Sequence, residues 1–295
     1  MKPSEIPLEM HFKRLHLANA PRIYRELAQR AEREQWSYQD FLAVLMGEEI
    51  AHRQQTRLQR LVRRARFPFL KTIDEFDFTY QSVLRLALLG SYLSADFVTE
   101  GRCLILSGKS GRGKTHLAVA LAYRAIQNGF EALFTTAAAL IDELSRASRD
   151  GRLLEALAGY THPHVLVIDE VGYLAYGPDA ANVLFHVVND RHLRRRSMIF
   201  TTNKPLDAWG RVLHDPDLAA AIVDRVLERG RLLPLDGPSL RTRHLGLDDP
   251  TAEGVSTQPV RISGTDLPEY PEPTPVGRFV AIPPAATYIP PRATC

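Results

Sequence analysis

Eight consecutive residues, Gly108-Lys109-Ser110-Gly111-Arg112-Gly113-Lys114-Thr115, satisfy the spacing G-x-x-x-x-G-K-[ST]. Glycines at 108, 111 and 113 let the backbone curl so that successive N–H groups point at phosphate oxygens, and a helix opening near Lys114 adds the positive end of its dipole. In that arrangement Lys114 neutralises the β- and γ-phosphates and the Thr115 hydroxyl ligates Mg²⁺. Lys109, Ser110, Arg112 and His116 complete the candidate nucleotide-contacting set. A chance glycine-rich turn fits the bare pattern as well. An apolar run before it and a long helical pattern after it favour the phosphate loop.

A phosphoryl-transfer site also needs a carboxylate at the end of a neighbouring buried strand. Val165-Leu166-Val167-Ile168 runs straight into Asp169-Glu170. This order places Asp169 at the strand's C-terminal end, where it can hold Mg²⁺, and sets Glu170 one residue further to deprotonate an attacking water. A strand ending in surface acids has the same local pattern and differs only in lacking a phosphate loop beside it. A water-activating glutamate favours hydrolysis over transfer to a small acceptor. A third run, Met198-Ile199-Phe200-Thr201-Thr202, ends in Asn203. The Asn203 amide either reaches the γ-phosphate or closes a turn before Lys204-Pro205, and the residues alone support both readings equally.

These residues require elements to position them. Short apolar runs at 103–107, 132–135, 165–168 and 198–201 alternate with helical patterns at 115–127 and 179–193. That alternation predicts an α/β fold with a parallel sheet flanked by helices. Before it, Ile23, Leu27, Phe41, Leu42, Leu45 and Ile50 recur at helical spacing, with Ser37 placed to cap a helix. They predict a small all-helical domain over residues 1–66. Residues 71–78 read as a connector whose Phe76 and Phe78 dock on the segment C-terminal to it.

The composition, 45% hydrophobic and 24% charged over 295 residues, excludes collagen-like and wholly disordered chains. Two cysteines, Cys103 and Cys295, exclude a disulfide framework and a cysteine-based metal cluster. No signal-peptide pattern opens the chain, and no run of about 18 apolar residues occurs. A soluble cytoplasmic protein with no membrane partner is expected.

Net charge is +3, yet residues 1–66 hold 13 Lys/Arg against 8 Asp/Glu. Arg53, Arg57, Arg60, Arg63, Arg64 and Arg66 stand in a stretch without acids. With the second group, Arg191, Arg194, Arg195 and Arg196, they are candidates for contacts to the phosphates of double-stranded DNA, with a solvated helix face or a subunit contact as the alternative. Ten of the 20 prolines fall within residues 250–295, and the stretch 248–295 is expected to be a disordered tail.

Taken together, GKSGRGKTHLA, VLVIDEVGYL, NDRHLRRRSMIFTTNKPLDAWG and LAAAIVDRVLERGRLLPLDGPSLR resemble the IstB-type ATPases, transposition helpers of one class of insertion sequence and relatives of bacterial helicase loaders. The resemblance runs from about residue 5 to residue 247. It implies an AAA+ P-loop NTPase domain over residues 67–247. It further implies ATP and Mg²⁺ as cofactors, ATP-dependent self-association into an oligomer on DNA, and a transposase as partner. On the matching positions, Lys114 and Thr115 are phosphate-loop residues, Asp169 and Glu170 the Mg²⁺-binding and water-activating acids, and Asn203 a sensor. Arg225 is then an arginine finger aimed at a neighbouring subunit's γ-phosphate, with an ion pair to a nearby acid as the alternative, and Arg241 a second sensor. The family commonly carries Pro-Pro and Thr where Lys109, Ser110 and Arg112 stand here, and Ser-Tyr-Arg where Ser239-Leu240-Arg241 stands. A replicative helicase loader and a non-hydrolysing ATP-gated DNA scaffold remain as alternatives.

Overall fold

The computed structural model describes residues 7–81, 84–173 and 176–239, all within one compact unit. The proline-rich segment and Arg241 lie outside the described residues.

Three helices come first: α1 (Leu8–Arg14), α2 (Ala20–Arg33) and α3 (Tyr38–Arg64). They close on a small cluster of Phe12, Ala20 and Leu45, with Leu17, Ile23, Tyr24, Leu27 and Phe41 around it. The Ser37 hydroxyl accepts from the Asp40 amide at 3.1 Å and starts α3, as its sequence position suggests. Helix α2 has no such local cap. Its opening N–H groups are taken instead by Glu49 of α3, whose carboxylate accepts from Ala18, Asn19 and Ala20 at 2.7–2.9 Å and from Arg53 Nε at 3.0 Å. The second half of α3 leaves this cluster: Leu61 and Ala65 belong to the main core, with Leu58 and Val62 packed against it.

A connector comes next, with Phe76 buried and its ring centroid 4.8 Å from that of Phe78, edge to face. Both aromatics dock on the main core as the sequence indicates. Short helices α4 (Gly90–Leu93) and α5 (Asp96–Thr99) lead into the α/β block. Its elements are β1 (Cys103–Ser107), α6 (Lys114–Gln127), β2 (Ala132–Thr136), α7 (Ala137–Arg149), α8 (Leu153–Thr161), β3 (Val165–Val171), α9 (Ala180–Leu193), β4 (Ser197–Thr202), α10 (Trp209–Leu213), α11 (Pro216–Glu228) and β5 (Gly230–Pro234). The strands are all parallel, in the order β2-β3-β4-β1-β5.

Alternation along each strand explains why helices cover both faces. Leu104, Leu106, Val165, Val167 and Ile199 point to the side of α6 and α3. Cys103, Ile105, Leu166, Ile168 and Phe200 point to the side of α7, α9 and α11. This is the expected α/β class, a parallel sheet flanked by helices and preceded by a helical segment. Among the described residues no helix is long and apolar enough to cross a membrane.

One expected surface group is structural. Arg191 is fully buried, and its guanidinium donates to the carbonyls of Tyr160, Pro163, His164 and Ser197 at 2.7–3.1 Å. Burial pushes its pKa down to about 9. Arg191 therefore ties α9 to the entries of β3 and β4 and is not available to phosphates.

Burial works to raise the Glu49 pKa, but the bonds from Ala20, Asn19, Ala18 and Arg53 outweigh it and the net direction is down. A carboxyl lowered in the folded state stabilises above its unfolded pKa and loses that contribution as pH falls through the folded one. Glu49→Ala is therefore expected to cost about 2–4 kcal/mol in urea unfolding at neutral pH. The difference from the parent should shrink in acid.

Candidate functional site

Because the strands are parallel with β1 beside β4 and β4 beside β3, their C-terminal ends meet along one edge. The loop after β1, the acids of β3 and Asn203 after β4 are thereby brought to a single cavity of about 260 Å³, lined by residues 110–116, Glu170, Thr201 and Asn203 and flanked by Phe69 and Tyr173. No sequence pattern singled out Phe69, Tyr173 or Thr201.

The loop has the backbone that its glycines allow. Gly111 and Gly113 adopt φ +80° and +85°, and Gly113 starts α6. Gly108, at φ +148°, is crossed closely by the chain after β5: a Cβ built there would lie 2.3 Å from the Leu235 carbonyl oxygen. Lys114 folds over its own loop, with Nζ donating to the Gly108 and Lys109 carbonyls at 2.7 and 2.8 Å. Arg112 Nη1 approaches the Leu235 carbonyl at 3.5 Å. His116 holds the connector through a 3.1 Å contact of Nε2 with the Thr72 carbonyl and an edge contact with Phe76.

Beneath the loop, Asp169 is buried, and its two oxygens lie 3.0 and 3.1 Å from the Thr115 hydroxyl. The Thr201 hydroxyl donates to Asp169 Oδ1 at 2.5 Å and accepts from the Glu170 amide at 2.9 Å. Glu170 has φ +61°, and the β3–β4 register shifts between Ile168 and Val171. This bulge sits at the acidic pair, and the Glu170 side chain is exposed at the cavity. The Tyr176 hydroxyl, its pKa raised by burial, donates to the Glu170 carbonyl at 3.2 Å and so braces the same bulge. Asn203 Oδ1 is buried without a hydrogen-bond partner among the described residues.

The donor set suits a magnesium nucleotide. Thr115 and Asp169 offer hard oxygens within 3.1 Å of one another. Mg²⁺ takes one or two protein oxygens and completes its shell with phosphate and water. Among the described residues no group of three or more His, Cys, Asp or Glu side chains could hold a metal by itself. Asn203, whose Oδ1 is left without a partner, lines the same cavity.

Other expected site residues lie elsewhere. Arg225, on α11, stacks over the Phe185 ring at 4.7 Å and donates to Asn189 Oδ1 and the Ala221 carbonyl. It does not line the cavity. Arg53 bonds Glu49 and the His16 carbonyl, and Arg57 bonds the Gly129 carbonyl. Arg60, Arg63 and Arg64 are exposed, as are Arg194, paired with Asp190, and Arg195, while Arg196 is half-buried.

The family model described as IstB-like ATP binding protein matches residues 10–246. The putative ATP-binding protein of insertion sequence IS5376 from Geobacillus stearothermophilus is 35% identical over 236 residues, covering 80% of this chain and 94% of that protein. The corresponding IS21 protein of Pseudomonas aeruginosa is 33% identical, covering 80% and 89%. Among solved structures, AMPPCP-bound DnaA from Aquifex aeolicus aligns with a TM-score of 0.49 at 18% identity, over 61% of this chain and 54% of that one.

The close crossing at Gly108 yields a test of the loop. Gly108→Ala should cost about 2–4 kcal/mol through positive φ and overlap with the Leu235 backbone. Urea unfolding and titration with a fluorescent ATP analogue should show lower stability and weakened binding together.

Proposed function

The chain belongs to the IstB-like ATP-binding protein family, and from that premise we propose that it is a Mg²⁺-dependent ATPase that oligomerises on double-stranded DNA and recruits or activates a transposase. The observation that carries the catalytic part is the meeting of Thr115 and Asp169 at 3.0 Å under the phosphate loop, with Glu170 turned into the cavity one residue further on. The insertion-sequence names of the relatives support the transposase as partner. The proposed division is a basic helical domain at 1–66, the ATPase domain at 67–247 and a proline-rich tail at 248–295.

In this reading the loop amides of residues 108–113 and the Lys114 ammonium bind the β- and γ-phosphates, and Lys114 exchanges its two loop carbonyls for phosphate oxygens. Lys109, Ser110, Arg112 and His116 border the nucleotide. Thr115 and Asp169 would hold Mg²⁺, which supplies charge neutralisation between the β- and γ-phosphates. Glu170 accepts a proton from water as the water oxygen bonds to the γ-phosphorus and the bond to the β–γ bridging oxygen breaks. The products are ADP and phosphate. The Asn203 amide orients that water or the γ-phosphate. Arg241 is assigned as a second nucleotide sensor.

Arg225 is assigned to the γ-phosphate of a neighbouring copy. Its place on α11, outside its own cavity, supports a role across a subunit boundary, where it would make hydrolysis conditional on assembly. Arg60, Arg63, Arg64, Arg194, Arg195 and Arg196 supply phosphate contacts. Arg53 and Arg57, assigned with them, would have to give up the bonds they make to Glu49 and Gly129.

Steady-state ATP hydrolysis, measured over a range of protein concentrations with and without duplex, should rise with DNA and more than linearly with protein. Lys114→Ala should lose nucleotide binding. Glu170→Gln should bind ATP and assemble while turnover falls at least about a hundredfold; undiminished turnover would remove Glu170 from its role. Arg225→Ala should bind ATP like the parent and lose the assembly-dependent stimulation, by about a thousandfold. Retained stimulation would exclude the finger.

A further inference from the structure

The two arginine groups, more than a hundred residues apart in sequence, are brought by the topology to the same end of the sheet. In a parallel sheet the residues that lead into the strands all lie along one edge, here the edge opposite the phosphate loop. Backbone contacts join these lead-ins in spatial order. Val165 N donates to the Glu131 carbonyl, Ser197 N to the His164 carbonyl, and Cys103 N to the Arg229 carbonyl. Between β4 and β1, Gly101 at φ +63° lies so close to Arg195 that an added Cβ would meet the Arg195 carbonyl oxygen at 2.4 Å.

Cations mark this edge from side to side. At the β2 side Arg64 and Arg66 share a groove of about 240 Å³ with Glu131, Ala132 and Pro163. At the centre stand Arg194, Arg195 and Arg196 before β4, and Arg102 before β1. At the β5 side stands Arg231, which with Arg102 lies near enough to Tyr92 to oppose the rise that burial imposes on its pKa. The acids along the row are Glu131 and Glu143, which line the groove with Arg64 and Arg66, Glu100, which pairs with Arg102, Asp190, which pairs with Arg194, and Glu228, which lies 3.3 Å from His192 before β5. Arg64, Arg66, Arg195, Arg196 and Arg231 make no hydrogen bond or ion pair with a side chain among the described residues.

We propose that the edge formed by the strand lead-ins is one continuous duplex-binding surface, in which Arg66, Arg195, Arg196 and Arg231 contact backbone phosphates. This rests on the DNA-binding reading above and deepens it by locating the duplex and adding Arg231. Five strands at about 4.8 Å spacing give a row about 19 Å long. A duplex carries one phosphate charge per about 1.7 Å of axis, so the row faces on the order of five phosphates on its near side. Guanidinium groups suit such contacts and confer little sequence preference. The nucleotide cavity is at the other end of the same strands: β1 (Cys103–Ser107) lies between Arg102 and Gly108, and β4 (Ser197–Thr202) between Arg196 and Asn203. DNA and ATP can then be held at once without competing for space.

The test is fluorescence anisotropy of the full chain with a labelled random-sequence duplex, over a salt series from about 50 to 200 mM. For the triple change Arg195→Ala, Arg196→Ala and Arg231→Ala, the slope of log K against log salt should flatten by about 2–3, with affinity at least about tenfold lower. ATP-analogue binding should stay at the parent level. Arg231→Glu alone, at an exposed position of the edge strand, should weaken binding independently of the turn before β4. Parent-like affinity and slope in both variants, with loss only in Arg60→Ala/Arg63→Ala, would overturn the continuous edge and leave DNA binding on α3. A parent chain that binds no duplex at any salt would overturn both this surface and the DNA-binding reading.

Discussion

The buried carboxylate of Asp169 is the point on which the site depends. It is held by Thr115 from the helix after the phosphate loop and by Thr201 from β4, while its own backbone belongs to β3. Three elements that share no local sequence are thus fixed to one another by a pair of oxygens. Leaving a buried carboxylate without partners costs at least about 1–3 kcal/mol, so the two hydroxyls are a condition of placing the acid there at all. The same Thr201 oxygen accepts from the Glu170 amide, so the bond that satisfies one acid also fixes the backbone of the next.

A parallel sheet has two chemically different ends, and this chain uses them differently. The C-terminal ends collect the glycine loop, the acidic pair and the unpartnered Asn203 oxygen. The N-terminal ends collect arginines and the bonds of buried Arg191, which fasten the entries of β3 and β4. Short strands make this separation small, about 17 Å for a five-residue strand. Helix α3 adds to the second end by running out of its own cluster to place Arg64 and Arg66 beside β2, where the Ala65 carbonyl accepts from Phe134 N at 2.8 Å.

Much of this was legible in the sequence because it depended on local pattern. Apolar runs marked β1, β2 and β4 nearly to the residue and the start of β3, which continues past its apolar run through the acids to Val171; glycine spacing marked the loop, and Ser37 marked the start of α3. Strand β5 was not legible: Gly230–Pro234 lies at the sheet edge with Arg231 and Leu232 exposed, so it carries no apolar run. Arg191 and Arg53 read as surface charges for a different reason. Their partners are main-chain carbonyls and, for Arg53, a buried Glu49 that caps another helix, and no spacing rule displays a carbonyl. Thr201 was read only as strand filler, because a β-branched residue in an apolar run looks the same whether its hydroxyl is idle or bridges two acids.

Glu170 shows why a site of this kind needs more than its reactive residues. A non-glycine residue at φ +61° is strained by about 1–2 kcal/mol, and a regular strand would remove that strain by returning Glu170 to an extended conformation. It does not do so because the conformation is fixed from several sides. The Glu170 amide is bound to Thr201, its carbonyl accepts from Tyr176, and pairing resumes one step later at Val171 with Thr202, whose hydroxyl donates to the Val171 carbonyl at 2.8 Å. The bulge is therefore a consequence of the neighbouring strand and loop rather than of Glu170 itself. A glutamate in the same sequence position without Thr201 and Tyr176 around it would revert to ordinary strand geometry and leave the cavity.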